Sequence, residues 1–255
     1  MKAEPLAAKT SSDITEDRIL GGGLVLRQPA SGYRTGIDPV FLAAAMPLCA
    51  RGRALDLGCG VGAAALCLAL RQPGIQVTGL EIQPALAELA RANVTLNGLG
   101  ERVSIATGDL LRPPAEIGAG GFDMVLANPP FHEAGKFSAP REPGRARGHM
   151  EGEADLAAWI DCALNLATPR GVLALIHKPE RLGDILARLQ GRAGAVRVFP
   201  LWAGPGKPAR RILLRAEKGS AAALTLHAGL VLHDADGRYS VAAESVLREG
   251  AALDF

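Results

Sequence analysis

A doubly wound α/β fold is predicted by three observations, with seven strands in a mostly parallel sheet, helices on both faces and an antiparallel strand at one edge. Short apolar segments alternate with helical ones from residue 53 to residue 190. The strand segments are continuously apolar, as strands buried on both faces are. A glycine-rich turn, Asp56-Leu-Gly58-Cys-Gly60-Val-Gly62, separates the first strong strand from the helix after it.

In chain order, residues 1–18 are polar, with Glu4, Asp13, Glu16 and Asp17, and read as a flexible tail. Residues 19–50 form an N-terminal hairpin and helix. Within them 24–27 is a strand and 28–36 a polar turn. Asp38-Pro39 supplies an N-cap and a proline at the first helical position, opening a helix to about Cys49. Residues 51–255 form the main domain. Strands are predicted at 53–57, 75–81, 102–107, 122–127 and 171–177, and helices at 62–72, 84–96, 154–167 and 179–190. Segments 196–202 and 210–217 lack a helix between them and pair antiparallel at the sheet edge. A strand at 224–232 and a helix at 241–248 close the chain.

The 255 residues are 48% apolar and 21% charged, a folding composition rather than a disordered one. No apolar run approaches the roughly 20 residues that cross a bilayer, and no secretion signal opens the chain, so a cytoplasmic protein is expected. Cys49, Cys59, Cys67 and Cys162 have no Cys-x-x-Cys spacing and read as reduced thiols. The five histidines lack metal-ligand spacing, so no metal is expected. The net charge of +2 conceals segregation. Residues 1–130 carry 11 basic and 12 acidic groups, 131–215 carry 14 and 8, and 216–255 carry 3 and 6. Positive charge is concentrated in one third of the chain.

Glycines between a strand and a helix let the backbone approach a ligand, and the helix start offers unpaired N–H groups. Gly58, Gly60 and Ala63 also satisfy a dinucleotide fingerprint, so a nicotinamide enzyme stays open on this loop alone. Glu81 ends the second strand 19 residues beyond Gly62, where a carboxylate can accept both hydroxyls of a ribose. Asp109 falls at the next strand end, as a ligand contact or a cap. Asn128-Pro129-Pro130-Phe131 follows the strand at 122–127. Two prolines stiffen that backbone and remove its donors, leaving the Asn amide and neighbouring carbonyls as acceptors beside an aromatic ring. This suits a flat amino group conjugated to a π system. Acceptors on its two protons draw the nitrogen toward tetrahedral geometry and expose its lone pair.

On these residues the sequence resembles the class I S-adenosylmethionine-dependent methyltransferases that act on planar amino nitrogens. Thr35 to Asp38, 147–159, Glu180 to Leu182, Pro208 to Leu214 and Lys218-Gly219 extend the match to the bacterial family that includes the tRNA(Val) adenine N6-methyltransferase. The resemblance implies a Rossmann-like fold, S-adenosyl-L-methionine as cofactor and a tRNA substrate. It implies that Asp56, Gly58, Cys59, Gly60 and Gly62 support the cofactor's methionine end. Glu81 with Ile82 would meet the ribose, and Asp109 with Leu110 the adenine. Tyr33, Thr35 and Asp38 would close the cofactor pocket from the N-terminal side. Asn128, expected among the cofactor contacts as well, would take the substrate amino group with Pro129, and Pro130 and Phe131 would complete the catalytic tetrad. Several adenine enzymes carry Tyr where this chain has Phe131, and Phe also occurs in guanine-amino methyltransferases of ribosomal RNA.

Residues 131–151 follow the tetrad as a long loop containing Lys136, Arg141, Arg145 and Arg147. With Lys178, Arg181, Arg192, Arg197, Lys207, Arg210 and Arg211 they form a charged surface suited to RNA phosphates. Three readings follow. The first is an RNA adenine N6-methyltransferase. The second keeps the chemistry and moves it to a glutamine amide of a protein or a guanine amino group of ribosomal RNA. The third is a non-catalytic module binding S-adenosylmethionine or RNA. A monomer and a homodimer are both compatible with the pattern.

Overall fold

The computed structural model describes residues 14–31, 34–131 and 154–255. Strands β1 (Ile14–Ile19) and β2 (Leu24–Pro29) form an antiparallel hairpin. The polar tail predicted over 1–18 is therefore too long at its C-terminal end. Glu16 lies opposite Arg27 and accepts from it at 2.7 Å, and Asp17 accepts from Gln28 at 2.6 Å. Acids that look like tail polarity are cross-strand partners.

Helix α1 (Asp38–Ala45) stops short of the predicted Cys49. Pro47 disfavours the helical conformation in the residue before it, and Met46 is extended with ψ 137°. The N-cap is Ile37, and Asp38 is the first helical residue. There follow β3 (Gly52–Leu57), α2 (Ala63–Arg71), β4 (Ile75–Glu81), α3 (Pro84–Leu96), β5 (Val103–Thr107), β6 (Phe122–Ala127), α4 (Leu156–Leu166) and β7 (Ala167–His177). A 3₁₀ turn (Pro179–Arg181) leads into α5 (Leu182–Leu189), then β8 (Ala193–Trp202), β9 (Ala209–Lys218), β10 (Thr225–Leu226), β11 (Leu230–Val231) and α6 (Val241–Glu249).

The sheet order is β10-β8-β9-β7-β6-β3-β4-β5, with β11 also on β8. Every pairing is parallel except those of β9, which inserts between β7 and β8 and opposes both. Seven strands make the predicted sheet, and β10 and β11 bring it to nine. The single strand predicted at 224–232 is split because it runs beside Pro200. That residue has no N–H to donate, so Leu226 pairs before it, with Val198, and Leu230 after it, with Leu201.

The two faces carry separate apolar clusters. On one, Phe41 and Leu42 of α1, Leu66 and Leu68 of α2 and Val246 of α6 pack with Leu24 and Leu26 of the hairpin. On the other, Trp159 and Ile160 of α4 pack with Ile185 and Leu189 of α5. The hairpin is tied down from α3. The fully buried Asn93 accepts from the Arg27 N–H at 2.8 Å and donates to the Arg27 and Val61 carbonyls at 2.9 Å. Asn97 holds the Val25 N–H and carbonyl in the same way. Among the described residues no helix is long and apolar enough to cross a membrane.

Candidate functional site

Strand register brings the motif residues together. Leu57 of β3 lies opposite both Leu80 of β4 and Ala127 of β6, Glu81 opposite Thr107 of β5, and Ala127 opposite Leu175 of β7. The loops that begin at Gly58, Ile82, Gly108, Asn128 and Lys178 therefore leave one edge of the sheet. The strand order also reverses here, with β4 on one side of β3 and β6 on the other. Open α/β sheets bind ligands at such a switch point.

Gly58, Gly60 and Gly62 have φ of 69°, 56° and 86°, a left-handed conformation that side chains disfavour. At Gly58 a Cβ would also overlap the Trp159 indole. That glycine is required by packing against α4 as well as by turn geometry, which the motif does not disclose. The Glu81 carboxylate fastens the loop, accepting from the Gly60 N–H at 2.9 Å and from the Gln83 N–H at 2.8 Å. It is 5% exposed, and burial raises its pKa in spite of those bonds. Asp56 accepts from the Ala65 N–H in the first turn of α2 at 2.9 Å. Burial pushes it up to about 7, the Ala65 bond opposes that, and the nearby Glu81 charge adds to it. Cys59 is buried, with its thiol pushed further up, and has no nucleophilic character.

These residues fit a cationic cofactor that carries a nucleoside. Glu81 uses two of the roughly four hydrogen bonds a carboxylate can accept. Beside it Ile82 is 59% exposed, an uncovered apolar side chain suited to the face of a ring or sugar. Asp56 and Glu81 are both buried with raised pKa values, and a cationic ligand beside them would favour their charged forms. Asp109 accepts from the Leu111 N–H at 2.9 Å, so it makes a local turn and keeps its other oxygen, with Leu110 half-buried next to it.

In the tetrad, the Asn128 Oδ1 is buried with no hydrogen-bond partner among the described residues. An orphaned buried acceptor costs about 1–3 kcal/mol, a cost that a substrate N–H would remove. The Phe131 ring meets His177 edge-on, with centroids 5.3 Å apart at 82°. His177 is 1% exposed, its Nδ1 accepts from the Lys178 N–H at 2.8 Å, and burial lowers its pKa to about 4. It is a neutral support for the ring.

A cavity of about 470 Å³ opens in front of Asn128 to Phe131. Arg34, Lys178, Arg210 and Arg211 line it, against one carboxylate, Asp38. Asp38 does not cap α1 through its side chain. Its Oδ2 accepts from Arg211 Nε at 2.9 Å, so it stands beside the tetrad. Arg34, missing from the predicted site, is held by Asp17 at 2.8 Å and by Thr15 at 2.6 Å. Thr35 donates its N–H to Gln28 at 2.8 Å, so the hairpin positions both residues. Lys207 lies in the β8–β9 turn by Trp202, away from this cavity. The basic surface is less continuous than predicted. Arg192, just before β8, stands at the opposite sheet edge, where Asp161 binds both it and Arg188. Tyr33, Lys136, Arg141, Arg145 and Arg147 lie outside the described residues. Among the described residues no cluster of three or more His, Cys, Asp or Glu could hold a metal.

The methyltransferase small domain family matches residues 35–140. A tRNA1(Val) (adenine(37)-N6)-methyltransferase of Yersinia pestis (strain Pestoides F) is 33% identical over 228 residues, spanning 86% of this chain and 90% of that protein. A crystal structure from Agrobacterium tumefaciens, described as a predicted O-methyltransferase, superposes with a TM-score of 0.70 at 27% identity over 85% of this chain and 98% of that one. A tRNA (m1A58) methyltransferase of Aquifex aeolicus shares the fold, with a TM-score of 0.55 at 12% identity over 76% and 73% of the two chains.

Proposed function

Since the chain belongs to the S-adenosylmethionine-dependent methyltransferase family that contains the tRNA1(Val) adenine N6-methyltransferases, we propose that it methylates the exocyclic N6 of an adenine in tRNA, in the cytoplasm. The observation that carries this reading is the orphaned Asn128 Oδ1 in a cavity lined by four cations and one carboxylate. An acceptor waiting for an N–H suits an amino group, and the surrounding charge suits a polyanion better than a neutral protein loop. The Yersinia relative's name points the same way.

When bound, S-adenosylmethionine supplies a methyl group on a sulfonium whose departure leaves a neutral thioether. The chain supplies position. Asn128 Oδ1 would accept a hydrogen bond from the amino group and weaken the nitrogen's conjugation with the ring, and the proton that the methyl group replaces would leave to solvent. Phe131, braced by His177, gives the base a surface, and the paired prolines hold the acceptors rigid. Glu81 and the Gly58 to Gly62 loop would hold the cofactor. The target nucleotide must leave its stack to reach the cavity.

The test is mass spectrometry of tRNA nucleosides from wild-type and deletion cells, together with labelled-methyl transfer by the purified protein onto deproteinised RNA. Loss of one N6-methyladenosine on deletion is expected. Label found only in protein would move the reaction to a glutamine amide, label in ribosomal guanine would change the base, and absence of transfer would leave a binding module.

A further inference from the structure

We propose that Arg211 is the second wall of the base pocket: the target base enters between its guanidinium and the Phe131 ring, and Arg211, tethered by Asp38, closes over the base's outer face. This rests on the reading of the cavity as a base pocket. The guanidinium carbon stands 4.4 Å over the Phe131 centroid, in the layer that a base stacked on that face would occupy. Its orientation is set by two bonds, Nε donating to Asp38 at 2.9 Å and Nη1 donating to the Arg210 carbonyl at 2.9 Å.

Arg211 therefore occupies the layer in which a base would stack on Phe131. It covers an aromatic face that water would otherwise wet, in the cavity where Asn128 has an acceptor to spare. A base bringing its amino group to Asn128 has to move the guanidinium outward by about one ring thickness. The long Arg side chain allows that movement while Asp38 limits it. In the new position the flat cation again lies on a π face, now the base's, with Nε still on Asp38 and its Nη2 N–H groups able to reach a neighbouring phosphate. A carboxamide has no second face broad enough to replace the lost contact with Phe131. The exchange thus favours a base over a glutamine amide.

The experiment compares wild type, Arg211→Lys and Arg211→Ala in steady-state methyl transfer to deproteinised RNA, with S-adenosylhomocysteine binding measured in parallel. Lysine keeps the charge near Asp38 and lacks the plane. Both variants are expected to lose roughly tenfold in kcat/KM for RNA, with the loss in KM, while S-adenosylhomocysteine affinity stays within twofold. Wild-type kcat/KM in Arg211→Lys would overturn the proposal by reducing Arg211 to a point charge. Equal or higher activity in Arg211→Ala would overturn it by making the side chain a plug. Failure of the wild-type protein itself to methylate RNA would instead strike the underlying reading of the cavity. If the alanine variant melts early, the lysine variant decides.

Discussion

The buried Asn128 Oδ1, without a hydrogen-bond partner among the described residues, is the atom on which the proposed reaction turns. Replacing Asn128 with Ala removes the acceptor and leaves the cofactor loop untouched, so kcat is expected to fall about 10²- to 10³-fold, with S-adenosylmethionine affinity by calorimetry unchanged. Retained kcat would disprove the role. Asp56 makes a second prediction. Burial keeps it protonated to about pH 7, against an ordinary value of 3.8. Between those limits the folded chain holds a proton that the unfolded chain has released, so stability declines as pH rises through that window and levels off above it. His177 works in the opposite sense. Lowered from 6.5 to about 4, it removes stability as pH falls between those values. Melting curves of the cofactor-free protein should show wild type losing stability relative to Asp56→Asn as pH rises from 3.8 to about 7. Identical profiles would mean that Asp56 ionises normally. The residues that a motif can mark, Glu81, the three glycines and Asn128, were legible because short-range geometry forces their types. Arg211 and Arg34 gain their positions from Asp38 and Asp17, 173 and 17 residues away. No local pattern encodes such partners.

Among the elements, the N-terminal hairpin is the one most dependent on borrowed bonds. Asn93→Ala leaves the Arg27 N–H and carbonyl and the Val61 carbonyl without their partner. The cost is expected at about 2–4 kcal/mol, with faster hydrogen exchange concentrated at residues 24–29. Uniform exchange across the chain would argue that the hairpin holds by apolar contact alone. Because Arg34, which lines the cavity in front of Asn128, hangs from this hairpin, RNA activity should weaken more than cofactor binding. Strand–helix alternation made the central elements readable to within a few residues. The misplaced boundaries have particular causes: Pro47 ends α1 early, Pro200 breaks the last strand in two, and the acids of β1 resemble a tail until their partners on β2 and in the loop after it are known. The first could be read from the sequence alone. The second needs knowledge of which strand lies alongside.

On the scale of the whole molecule, charge is sorted by sheet edge. The edge bearing Asn128 carries Arg34, Lys178, Arg210 and Arg211 around one cavity, with Arg34 paired to Asp17 and Arg211 to Asp38, and at the far edge Arg188 and Arg192 share the single carboxylate of Asp161. On the proposed reading, phosphate contact by the four cations around the cavity predicts that the logarithm of RNA affinity falls with the logarithm of salt concentration with a slope of about −3. Arg210→Ala should make that slope shallower by about 0.7, and Arg192→Ala should leave it unchanged. Equal effects from both would mean that RNA spreads over both edges. The placement of β9 has a further consequence for how the molecule comes into being. The strand that carries Arg210 and Arg211 follows β8 in the chain, yet it has to slide between β7 and β8 to close the sheet. Closing the sheet and finishing the substrate side are one event, whereas β3, β4 and the glycine turn depend on neither. A chain still folding can shape its glycine turn early, but it completes the Arg210 and Arg211 wall of the cavity only when the sheet is whole.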